Sequence, residues 1–159
     1  MSPEKQQQFS ARIVAANKSE MIVIIYDIIL EYLDEANDYY KSKLRKDYSN
    51  SIKNIRNCLS ELIQSINCEN ELAPNYAALY LFCNEQLDQS EIKYDNSFLV
   101  EVQKIIAELK EAAIEISKQD KSLPVMENAQ TLYSGLTYGK NNNPIELMTD
   151  PNTNRGFLI

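Results

Sequence analysis

The chain has 159 residues, enough for one domain with a substantial core and few for two. Hydrophobic residues make up 44 % and charged residues 25 %, and the formal charge of −7 repels phosphate backbones and anionic membranes, which counts against a nucleic-acid partner. There is no histidine, and Cys58, Cys68 and Cys83 are odd in number without Cys-x-x-Cys spacing. Imidazole metal sites, Ser/His and Cys/His nucleophile pairs, a zinc site and a disulfide framework are therefore not expected, nor is any cofactor.

In chain order, Met1 to Ser10 lacks the cationic start and apolar stretch of a signal peptide. The longest apolar run, Met21 to Tyr26, stops at Asp27, too short to span a bilayer, so no membrane insertion is expected. Residues 1–16 read as an N-terminal segment and residues 17–121 as a helical domain. A first helix opens at Asn17, an N-cap with Glu20 placed for a capping box, and runs to about Arg45. Its apolar residues include Met21, Ile22, Ile25, Ile28, Ile29, Tyr32, Leu33 and Ala36. A second helix starts near Asp47 with Ile52, Ile55, Leu59, Leu62, Ile63 and Ile66 on one stripe. A third begins within 71–74 and carries Tyr76, Leu79, Tyr80, Cys83 and Leu87. A fourth opens near Asp95 or Asn96 and repeats Phe98, Leu99, Val102, Ile105, Ile106, Leu109, Ala112, Ala113 and Ile116. Short connections make neighbours antiparallel, so the spacing predicts an all-α, antiparallel up-and-down four-helix bundle. No glycine occurs before Gly135, as expected of long helices with little need of left-handed turns.

The first helix carries more apolar surface than one stripe needs. With residues about 100° apart, Glu20, Asp27, Glu31 and Asp34 crowd into a narrow acidic strip, and the rest of Met21 to Leu33 is nearly all apolar. Val23, Tyr26 and Leu30 are then expected off the core-facing side, and Leu81 and Phe82 off the stripe of the third helix. Clustered surplus of this kind marks a binding surface, unless the N-terminal segment or the tail covers it. Paired carboxylates such as Glu108 and Glu111 fall on the solvated side of the fourth helix and do not suggest catalysis, so the chain is not expected to be an enzyme.

Two stretches resemble a known family. Met21-Ile22-Val23-Ile24-Ile25-Tyr26-Asp27 resembles the apolar-run-then-aromatic-Asp signature of the flagellin export chaperones, FliS. Glu71-Leu72-Ala73-Pro74-Asn75-Tyr76-Ala77-Ala78-Leu79-Tyr80, followed by Leu87, resembles that family's E-I-A-x-N-L-x-x-L-Y…L stretch. The resemblance implies a cytoplasmic chaperone that binds the C-terminal segment of flagellin, prevents premature polymerisation and assists delivery to the flagellar export apparatus. The export gate and other flagellar regulators are further partners in the same picture. It also implies that residues 1–16 act as a lid through Phe9 and Ile13, although Gln8 and Phe9 stand where the family usually has a tyrosine. The alternative is another helical-bundle adaptor or secretion chaperone for a different protein. The expected partner-binding set is Val23, Tyr26, Asp27, Leu30, Asn75, Tyr80, Leu81, Phe82 and Leu87. In the tail, 122–159, Val125, Met126, Ala129, Leu132, Tyr133 and Leu136 recur at helical spacing. A short helix over 125–138 would present Met126, Leu132, Tyr133 and Leu136 as a competitor for a groove of the bundle, unless the tail is a disordered extension.

Overall fold

A computed structural model describes residues 1–67 and 71–126. These residues are all-helical: α1 Pro3–Ala15, α2 Lys18–Lys41, α3 Arg45–Ser65, α4 Ala73–Lys93 and α5 Ser97–Gln119. Five helices stand where four and an N-terminal segment were expected. The extra helix is the N-terminal segment, which has its own start signal. The Ser2 side chain accepts from the Lys5 N–H, and Pro3 fills the first turn, where its missing N–H costs nothing. The capping box at the next helix is present: Asn17 Oδ1 accepts from the Glu20 N–H and Glu20 Oε2 from the Asn17 N–H, both at 2.9 Å.

α2 packs against α3 and α5, α4 packs against the same two, and α1 lies chiefly on α2. Hydrogen bonds fix the directions. Asn37 near the end of α2 meets Asn96 at the start of α5, while Ser19 at the start of α2 meets Asp120 just past the end of α5. Tyr48 and Ser49 in the first turn of α3 meet Ser90 and Glu91 in the last turn of α4. The core between α2 and α5 takes Ile29, Leu33 and Ala36 from α2 and Ile52, Ile55, Leu59 and Leu62 from α3. Tyr80, Cys83 and Leu87 come from α4, and Leu99, Val102 and Ile106 from α5.

One end of this array is sealed by tyrosines. Tyr40, Tyr48 and Tyr94 stack with ring centroids 5.2–5.9 Å apart. The Tyr48 hydroxyl bonds the buried Ser90 hydroxyl, whose Oγ also donates to the Asp95 carbonyl at 2.9 Å. This packing holds Tyr94 in the left-handed region, φ 51°, at the end of α4, and Lys43 takes φ 59° between α2 and α3. The absence of glycine therefore did not mean an absence of left-handed turns: at Tyr94, ring stacking and a hydroxyl-bonded corner offset the Cβ penalty.

Candidate functional site

The opposite end is open. Between the start of α2, the end of α3, the start of α4 and the end of α5 lies a cleft of about 260 Å³. Ile22, Leu62, Ile66, Tyr76, Leu109, Ala113 and Ile116 supply apolar walls, and Lys18, Ser19, Ser65 and Asn67 add polar groups. It exists because α5 runs past the last buried core layer at Ile106, so Ile116 is 56 % exposed although its spacing predicts a core position. Tyr26 and Tyr80 line the cleft, with hydroxyl oxygens 2.5 Å apart. Burial pushes both phenols up from their ordinary value, and the shared bond adds to the rise at Tyr26, so both stay neutral. Cys83 is pushed up to about 11 by burial and behaves as an apolar side chain.

The expected partner-binding residues fall into three neighbourhoods. Tyr26, expected off the core, is only 2 % exposed and joins it with Tyr80. The reason is that α2 is the central helix, flanked by α1, α3 and α5, so its apolar arc is used on several sides. Leu30 is half-buried against the core and Leu87 is fully buried, so neither forms an open surface.

On α4, Leu81 is 57 % and Phe82 38 % exposed, and Asn75 is exposed as well. Asn75, Leu79, Phe82 and Gln86 are spaced i, i+4, i+7 and i+11, which makes one uncharged outer stripe. Leu79, read from the sequence as core, belongs to this stripe. Its spacing fits either side of the helix edge, and only the placement of the neighbouring helices decides between them.

The third neighbourhood is the seam between α1 and α2. Asp27 pairs with Arg12 at 2.6 Å and with Lys110 of α5 at 2.7 Å. Lys5 pairs with Glu31, which raises the Lys5 pKa, and the Met1 amine pairs with Glu35. α1 thus runs antiparallel to α2 along its acidic strip. Phe9 and Ile13 are half-buried there, Arg12 lies over the Phe9 ring at 5.6 Å, and Val23 sits beside Arg12 in a shallow hollow. Ile24 lies about 140° round the helix from Ile29, yet is 3 % exposed and outside the main core. It borders the hollow lined by Arg12, Ala15 and Ala16 and by Ser117 of α5. Part of the surplus apolar surface of α2 is therefore hidden within the chain itself, by a helix that buries no residue of its own. No α1 residue lines the end cleft.

Of the tail residues, Val125 and Met126 form an exposed turn. Leu132, Tyr133 and Leu136 lie outside the described residues. Among the described residues no helix is long and apolar enough to cross a membrane.

Fold and site together define an all-helical domain with an open apolar cleft at one end and an uncharged stripe on an outer helix. Residues 1–120 of 159 match the family model described as flagellar protein FliS, and the chain belongs to this family of flagellar export chaperones. No curated protein matches the chain.

Proposed function

We propose that this protein is a cytoplasmic chaperone that binds the C-terminal segment of flagellin, keeps it from polymerising early and assists its delivery to the export apparatus. In this reading α2 to α5 form an up-and-down four-helix bundle that serves as platform, and α1, with Phe9 and Ile13, is a removable lid. The observation that carries the reading is the outer stripe of α4. Leu79 and Phe82 expose 36 % and 38 % of their surface on a face with no charge at Asn75 or Gln86. An amphipathic segment laid along such a stripe buries apolar area worth about 25 cal/mol per Å² and leaves its polar face in water. Leu81 widens the surface, Tyr80 and Leu87 anchor α4 on the core, Tyr26 and Leu30 pack on that core from α2, and Val23 and Asp27 belong to the seam that α1 covers. Contacts with the export gate and other flagellar regulators belong to the same proposal.

Calorimetry with a flagellin C-terminal peptide tests this. Binding is expected, weakened at least about tenfold by Phe82→Asp with helicity unchanged, since aromatic anchors typically contribute about 2 kcal/mol or more. Absence of binding to the unaltered protein ends the flagellin reading; equal affinity of the variant removes the α4 stripe from it. Leu30→Asp is a poor probe, because the half-buried Leu30 also supports the core.

A further inference from the structure

The open end cleft lies where the chain's own tail is led. Ser19 Oγ donates to Asp120 Oδ2 at 2.5 Å, Asn17 Nδ2 to the Asp120 carbonyl at 3.3 Å, and the Val125 N–H to the Ala16 carbonyl at 3.0 Å. Lys18 and Ser19, next along from Ala16 and Asn17, belong to the cleft's lining. Residue 126 is thereby kept at the cleft end of the molecule, and residues 127–159 continue from it.

The composition of this tail suits the cleft. Residues 128–139 contain no charged side chain, and Ala129, Leu132, Tyr133 and Leu136 recur at i, i+3, i+4 and i+7. The lining carries one charged residue, Lys18. An uncharged segment enters without stranding a charge in an apolar site. At about 260 Å³ the cleft is below the usual ~300–1,000 Å³ of small-molecule pockets, a size suited to a few side chains inserted from a segment. Leu132 is six residues beyond Met126, a reach of up to about 20 Å. Tethering over so short a span gives an effective concentration of about millimolar, so a weak contact suffices.

We propose that residues 128–138 of this chain dock in the end cleft, with Leu132 and Leu136 against Ile22, Ile66 and Ile116. The tail then shields the cleft in the free protein, and any partner segment that uses the cleft must displace it. This goes beyond the flagellin reading, involves one chain only and stands or falls without a partner present.

The test is isoleucine-methyl NMR and amide exchange on the full-length protein, compared with Leu132→Asp/Leu136→Asp. The expected result is a shift of the Ile22, Ile66 and Ile116 methyl signals in the variant and loss of exchange protection over 128–138. The core methyls of Ile29, Ile52 and Ile55 stay in place as the control for folding. Superimposable Ile22, Ile66 and Ile116 signals, or unprotected amides over 128–138 in the unaltered protein, overturn the proposal. A methyl shift that depends on protein concentration also overturns it, by placing the tail on a second copy.

Discussion

The Tyr26–Tyr80 pair shows how much one contact settles. Each hydroxyl is the other's partner beneath the cleft, in surroundings that keep both neutral. Tyr80→Phe leaves the Tyr26 oxygen without that bond and is expected to destabilise by about 1–3 kcal/mol. The double change Tyr26→Phe/Tyr80→Phe should recover part of the loss, because both polar groups are then gone. A thermal-denaturation double-mutant cycle reads this; additive losses would show that the hydroxyls do not act as a pair. Asp120 offers a test by pH. The Ser19 hydroxyl, then the Ser122 hydroxyl and N–H, lower its carboxyl from 3.8 to about 2. A folded pKa below the unfolded one contributes stability above pH 3.8, which is lost as pH falls toward 2. The stability difference between the unaltered protein and Asp120→Ala should therefore be present at about pH 5 and shrink on acidification through that window. A difference that does not change with pH would remove the carboxylate from the α2–α5 junction.

At the scale of elements, α1 differs from the other four helices. It buries no residue and is tied to α2 by the Met1–Glu35, Lys5–Glu31 and Arg12–Asp27 ion pairs. Exposed pairs of this kind contribute little singly, and salt weakens them as the Debye length falls from about 10 Å at 0.1 M to about 3 Å at 1 M. Raising salt is expected to speed tryptic cleavage after Lys5 and Arg12 while leaving α3 and α4 protected. Cleavage unaffected by salt would mean that apolar contact of Phe9 and Ile13 holds α1 instead. The same helix answers most of the question raised by α2. Its acidic strip is not merely a solvated face, since Asp27 and Glu31 of the strip, together with Glu35, are where α1 is clamped, and Ile24 is buried on the same helix.

At the scale of the molecule, the core among the described residues draws on α2 to α5, so removal of residues 1–15 should leave one cooperative unfolding transition of the remaining domain. Calorimetric unfolding with a large fall in enthalpy per residue would show α1 to be integral to the core. Much of this architecture was legible in the residues. Asn17 and Glu20 marked a helix start through local hydrogen bonds, and the stripes from Ile52 to Leu62 and from Leu99 to Ile106 marked buried faces through their period. Family membership was legible for the same reason, since Met21–Asp27 and Glu71–Tyr80 are contiguous stretches. Side-chain spacing and chain-local bonds are properties of the sequence by itself. What only the tertiary structure decided depends on which helix stands next to which. Tyr26 became core, Leu79 became surface and Ile116 became a cleft wall, because α2 has neighbours on three sides and α5 outruns the core layers. A helical wheel states the angle of a residue but not the position of the neighbour that would cover it, and burial is a property of the pair.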